Sequence, residues 1–236
     1  MCDCCVKYSD KTYPTFCSSH TLDDFRYVVF SVDFKDRYTP QLDKAPKLEP
    51  QISISDGFSS LPNHKHLTRA NFIVSTSKSI SSINTVGVAF ELVSVYPENE
   101  KAFIECCSSV VADIIIIDPR QDFITNTKAL HFALTRGLFF EITEYSLRHS
   151  DDQNKTKENL RLFFELIKGR NIILSSGAFT SSELMTPDQL LQFGMSVGLT
   201  RGQAFNAVFT NSMRCITRSK RRSPVQCNSF TCVIMA

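Results

Sequence analysis

Three groups of residues in this chain have types and spacings that could do chemistry. His64-Lys65-His66 is the one His-x-His step in the sequence, and Asp33, Asp118, Glu144 and His149 stand near the ends of apolar runs. Histidines and carboxylates that converge at one point can hold divalent ions and activate water against a phosphoester. Cys2, Cys4, Cys5, Cys17 and His20 form a second group. Its spacing is not that of a standard zinc finger, and buried thiols explain it more simply. The third group is cationic: Arg218, Lys220, Arg221 and Arg222 crowd together near the end of the chain. Such a cluster suits a polyanion such as RNA, or a nuclear-import address.

The charge balance points the same way. The last 48 of the 236 residues, from Gln189 onward, carry six Lys and Arg and no Asp or Glu, while the rest hold 20 basic against 24 acidic side chains. That polarity suits a polyanion partner for one end of the molecule, with a solubilising tail as the plainer reading. No run has the eighteen apolar residues of a membrane span, and no basic stretch followed by an apolar core opens the chain. Nine cysteines are scattered without a secreted framework, so reduced thiols and a cytosolic or nuclear compartment are expected.

The elements that must position these groups alternate. Short β-branched runs at Ala70 to Val74, Leu92 to Val95, Ile114 to Ile117, Phe139 to Ile142 and Ile172 to Ser175 begin 22, 22, 25 and 33 residues apart. That spacing leaves room for a crossover helix each time and is far too long for hairpins. Ile114-Ile115-Ile116-Ile117 is apolar at every position, as in a strand covered on both faces of a parallel sheet. Asp3 to Val6 and Tyr27 to Val32 supply two earlier strands, and Thr39 to Pro62 reads as a long loop. The clearest helix has Leu160, Phe163, Phe164 and Ile167 on one stripe, with Thr156 as its expected cap and Lys168-Gly169 at its end. Thr186-Pro187-Asp188-Gln189 and Thr200 to Gln203 are capping boxes, with Gly198 between them. The expected fold is an α/β barrel of about seven parallel strands with surrounding helices, occupying residues 1–217. A basic, flexible tail is expected over 218–236.

Several blocks carry a family resemblance. Lys168 to Ala178, KGRNIILSSGA, resembles the recurrent KGKN-apolar-apolar-SSGA segment of the thirty-kilodalton protein subunit of ribonuclease P. In the same order follow similarities at VDFKD (Val32 to Asp36), LTR (Leu67 to Arg69), FELVSVYPENEKAF (Phe90 to Phe103), ADIIIID (Ala112 to Asp118), ALTRGLFFEI (Ala133 to Ile142) and TNSMRCI (Thr210 to Ile216). The collinear resemblance covers roughly residues 27 to 217. It implies a distorted TIM-like barrel related to the PHP phosphoesterases. It also implies a non-catalytic subunit that binds ribonuclease P RNA and precursor tRNA, assembles with other protein subunits of RNase P and RNase MRP, and supports removal of the 5′ leader. The nucleus, and within it the nucleolus, is the implied location, and magnesium is expected with the partner RNA rather than on the protein.

Carried over residue by residue, the implied RNA contacts are Arg136, Lys168, Arg170 and Arg214, with Ser175, Ser176 and Asn211 as polar neighbours. The tail cluster Arg218, Lys220, Arg221 and Arg222 joins them. Arg136 and Lys168 also stand where a cation would favour a helix C-terminus. The chain departs from the family after its sixth strand, where EYSLRHSDDQNKTKEN replaces a Tyr-x-Pro segment with paired arginines. It departs again after SSGA, where Phe179, Thr180 and Ser181 follow. A PHP-type metal-dependent phosphoesterase is the alternative. Its relatives place histidines in the first strand, where this chain has Cys2-Asp3-Cys4.

Overall fold

The computed structural model of the protein describes residues 2–35, 45–48, 65–76, 83 and 89–222. Most of the expected loop from Thr39 to Pro62, together with His64, lies outside them. Among the described residues seven strands form one sheet: β1 (Cys2–Lys7), β2 (Tyr27–Lys35), β3 (Lys65–Val74), β4 (Leu92–Pro97), β5 (Ile114–Ile116), β6 (Phe139–Thr143) and β7 (Ile172–Ser175). Each pairs parallel with its sequence neighbour. The ends meet where the Lys7 N–H donates to the Ala178 carbonyl at 2.8 Å beside a Val6–Ala178 bridge, so the sheet curls into a nearly closed barrel. The seven strands expected from the sequence are all present.

Helices α1 (Tyr13–Cys17), α2 (Glu100–Ser108), α3 (Thr127–Thr135), α4 (Glu144–Arg148), α5 (Gln153–Ile167), α6 (Pro187–Ser196), α7 (Arg201–Phe205) and α8 (Asn211–Arg222) surround it. Both expected capping boxes form, at Thr186 and Thr200. The cap of α5 does not fall on Thr156. Asp152 accepts from the backbone N–H groups of Asn154 and Lys155, while Thr156 lies one turn inside and returns its hydroxyl to the Asp152 carbonyl. A carboxylate that takes two otherwise unpaired N–H groups outcompetes the hydroxyl downstream.

Strand alternation divides the core into two shells. Outward positions such as Val28, Phe30, Phe72, Val93, Ile115, Phe140 and Leu174 pack with the helices. Inward positions at the N-terminal ends of the strands, Cys2, Tyr27, Val29, Leu67, Leu92, Ile114, Phe139 and Ile173, form an apolar floor, which Cys215 and Ile216 of α8 seal.

Above that floor the interior turns polar. Arg69 of β3, fully buried, donates to both carboxylate oxygens of Glu141 on β6 at 2.8 and 2.6 Å. It also donates to the Cys4 carbonyl of β1 and to Ser94 Oγ of β4, both at 2.7 Å. Ser175 of β7 completes the set by donating to Glu141 at 2.9 Å. Burial alone would lower the Arg69 pKa, but the Glu141 carboxylate beside it raises it overall. Close by, buried Asp3 accepts from Ser176 Oγ at 2.6 Å and from the backbone N–H groups of Cys5 and Ser176.

Replacing Arg69 with Met strands the Glu141 charge in the interior, which should cost roughly 3–5 kcal/mol; adding Glu141→Leu should recover part of it. Urea midpoints of the single and double variants check this. Burial pushes Asp3 up to about 6 against the pull of its hydrogen bonds. The folded state therefore keeps a proton that the unfolded chain releases near pH 4, so this group's contribution is largest below about pH 4 and declines as pH rises to 6. Asp3→Asn stays neutral throughout, so its urea midpoint should gain on the parent across that window and level off above it.

Candidate nucleic-acid interface

The barrel has two ends with different chemistry. At the C-terminal mouth, where barrel enzymes keep their sites, Lys7, Asp33, Asn71, Tyr96, Asp118, Arg120, Tyr145 and Phe179 help line a cavity of about 260 Å³. Its carboxylates are already engaged. Asp33 accepts from Lys7 Nζ at 2.6 and 2.9 Å and from Asn71 at 2.7 Å. Asp118 accepts from Arg120 at 2.8 and 2.6 Å and from the Tyr96 hydroxyl at 2.7 Å. Burial raises the Asp118 pKa, but these hydrogen bonds outweigh it and hold the carboxyl below its ordinary value.

The other candidate metal ligands are dispersed. His66 bonds the Tyr13 hydroxyl at 2.7 Å and packs against Phe30, outside the barrel. Glu144 pairs with Arg148, and His149 stacks on Tyr145. The cysteine group is split, since Cys2 and Cys4 are in the barrel floor while exposed His20 pairs with Asp23. Among the described residues no three His, Cys, Asp or Glu side chains are placed to hold a metal ion.

At the N-terminal end the cations gather. The Lys168 to Asn171 turn joins α5 to β7 through left-handed backbone at Lys168 (φ 54°), Gly169 (φ 63°) and Asn171 (φ 54°). A Cβ on Gly169 would collide with the Gln203 side chain of α7. Asn171 tolerates its conformation and donates to the Leu138 carbonyl at 3.0 Å. The turn thus holds exposed Lys168 and Arg170 beside α7.

From Arg201 to Arg222 the chain is one helical rod, α7 and α8 joined by a π turn at Asn206–Thr210. The rod crosses the strand beginnings. Buried Asn211 donates to the Ile172 carbonyl at the start of β7 (2.8 Å). Arg218 donates to the Ala112 carbonyl (3.0 Å), to Asp113 (3.2 Å) and to the Arg136 carbonyl (3.3 Å), ahead of β5 and β6. Ahead of β4, burial raises the Glu91 pKa, and hydrogen bonds from Thr68 and the nearby charge of Lys220 pull against it. Cys215, Ile216 and Ser219 face the barrel and are buried, while Arg214, Thr217, Lys220 and Arg221 are exposed. Thr210, Met213, Arg214, Thr217, Arg218 and Arg221 line a groove of about 450 Å³.

The expected RNA-contact residues therefore separate. Lys168, Arg170, Arg214, Lys220 and Arg221 share the N-terminal face with their side chains exposed. Arg136 reaches the carbonyls of Cys106, Cys107 and Val110 at 3.4, 3.0 and 2.5 Å, closing the end of α2; burial and nearby Arg218 lower its pKa. Arg218 is largely a fastening for the rod. Asn211, Ser175 and Ser176 are buried with internal partners, the two serines deep in the barrel, so they serve the framework. The tail expected from residue 218 continues as α8 through Arg222, because Ser219 packs inward one turn beyond Cys215. Residues 223–236 lie outside the described set. Not anticipated from the sequence were the Arg69–Glu141 pair, the ion pairs of Lys7 with Asp33 and Arg120 with Asp118 in the mouth, and Phe205 and Phe209, whose rings stack at 4.6 Å on the rod.

A family model described as RNase P subunit p30 matches residues 1–224. The chain belongs to that family. Among curated relatives, mouse Ribonuclease P protein subunit p30 is 28% identical over 193 residues, covering 76% of this chain and 69% of the mouse protein. Ribonuclease P protein subunit drpp30 of Dictyostelium discoideum is 31% identical over 168 residues, 65% of this chain and 44% of the relative. Protein GAMETOPHYTE DEFECTIVE 1 of Arabidopsis thaliana is 26% identical over 74% of this chain, which spans 32% of that protein. In fold, this RNase P subunit p30 family member is similar to a chain in the cryo-EM structure of archaeal Ribonuclease P with mature tRNA, with TM-score 0.65, 11% identity and coverage of 94% of this chain and 92% of that one.

Proposed function

We propose that this protein is an RNA-binding subunit of ribonuclease P that contributes no catalytic group and meets RNA with the N-terminal face of its barrel. The observation that carries the placement is the convergence there of Lys168, Arg170, Arg214, Lys220 and Arg221, with no carboxylate anywhere on the rod that supplies three of them. Cations projected from rigid elements contact phosphates and fix orientation, releasing counterions as they bind. Among the described residues the mouth, with its carboxylates engaged by Lys7 and Arg120, has no comparable excess of positive charge. Magnesium on this reading accompanies the RNA.

The substrate is precursor tRNA, whose 5′ leader the complex removes, and the partners are the catalytic RNA and other protein subunits. RNase MRP is a second complex that could use the same face. A nuclear location fits the named homologues of mouse and Dictyostelium, and the nucleolus is the finer assignment proposed within it. Among the described residues no helix is long and apolar enough to cross a membrane.

Affinity purification of the tagged protein at moderate salt should recover a discrete structured RNA with other small proteins, and recovery of no RNA would overturn the proposal. Joint substitution of Lys168, Arg170, Arg214 and Arg221 with Gln should lower affinity for that RNA at least about tenfold and flatten the salt slope of log affinity by up to about 4. Unchanged affinity in a folded variant would remove RNA from this face.

A further inference from the structure

The cations account for only part of the rod's outer surface. Phe205 ends α7 with half its surface exposed, and its ring lies nearly parallel to that of Phe209, 21° apart at 4.6 Å. A single exposed Phe needs no explanation. This pair differs in three ways.

The π turn Asn206–Thr210 follows Phe205 directly and contains Phe209, and such turns, rare in proteins, often mark functional sites. Its local cause is visible, since the extra residue delivers Asn211 to the Ile172 carbonyl. The surface beyond continues the pattern: Phe209, Met213, Thr217 and Arg221 succeed one another four residues apart along one side of the rod, beside Thr210, Arg214 and Arg218 in the groove. The charge is also of one sign, with Arg201 at the start of the rod and cations to its end, and no Asp or Glu between them.

A flat aromatic surface followed by a cationic groove is the chemistry of a single nucleic-acid strand, in which a base stacks on the ring and the backbone runs along the charges. A duplex would offer its phosphates to the same arginines but no accessible base face. We infer that Phe205, backed by Phe209, is a stacking platform for an unpaired nucleotide of the bound RNA, whose adjoining phosphates lie along the groove toward Arg214 and Arg221. This deepens the RNA-face proposal above and rests on it. From Phe205 to Arg221 the rod is roughly 24 Å long, room for several nucleotides of an extended strand.

The test compares a short single-stranded RNA carrying 2-aminopurine with a fully paired RNA duplex of equal length, using the full chain. Phe205→Ala should weaken single-strand binding by roughly five- to a hundredfold and abolish quenching of the 2-aminopurine, while Phe205→Tyr retains both. Duplex binding should be unchanged in either variant and should fall on Arg214→Gln with Arg221→Gln. Phe205 is half exposed, so circular dichroism and the thermal midpoint confirm that both variants fold. Wild-type-like single-strand binding and quenching in Phe205→Ala, with the arginine dependence intact, would overturn the platform and leave the RNA face standing. The same RNA result with loss of a protein subunit from purified complexes would overturn it too, assigning the pair to a protein interface. Failure of the wild-type chain to bind either RNA would overturn both proposals.

Discussion

The buried pair of Arg69 and Glu141 is the constraint around which the barrel is arranged. A guanidinium and a carboxylate can share a water-free interior only if nearly every donor and acceptor finds a partner. Here β1 contributes the Cys4 carbonyl, β4 the Ser94 hydroxyl and β7 the Ser175 hydroxyl, so the pair ties five of the seven strands to one point. Its presence makes the middle of the barrel polar. The apolar seal is correspondingly displaced to the N-terminal ends of the strands, where it forms a floor that needs a lid.

The α7–α8 rod is that lid, and its two sides carry the two halves of the protein's chemistry. Cys215, Ile216 and Ser219 close the floor, and Arg218 fastens the rod to the segments entering β5 and β6. With that side fixed, helical geometry sets Arg214, Thr217 and Arg221 outward, at the same end of the barrel as the Lys168 to Asn171 turn. Packing and surface charge are thus coupled: the interactions that seal the barrel also aim the cations of this RNase P subunit p30 family member. At the opposite end, Lys7 and Arg120 neutralise the carboxylates of the cavity that a barrel phosphoesterase would use.

Much of the fold was legible because parallel strands leave apolar runs that need no context. Ile172 to Ser175 forms over the expected residues, and both capping boxes work through contacts within four residues. What depends on distant partners was not legible. From the sequence, Ser175 and Ser176 read as polar neighbours of the RNA contacts; Glu141 and Asp3, across the interior, take their hydroxyls instead. Arg136 caps the end of α3 with its backbone as expected, but its side chain serves the end of α2. Thr156 lost the cap to Asp152, and the basic tail proved helical through Arg222 because buried Ser219 extends the inward face set by Cys215 and Ile216. One signal was present and unread. Glu141 interrupts the apolar run Phe139 to Ile142 at an inward position, where an unpaired charge could not survive.

On the proposed function, RNA meets the N-terminal face of the barrel and not its mouth. Ultraviolet cross-linking of the assembled complex, followed by mass spectrometry of RNA-bearing peptides from this chain, tests that directly. Cross-links should concentrate in Lys168 to Asn171 and Arg201 to Arg221. Cross-links confined to the mouth, at Tyr96, Tyr145 or Phe179, would contradict it.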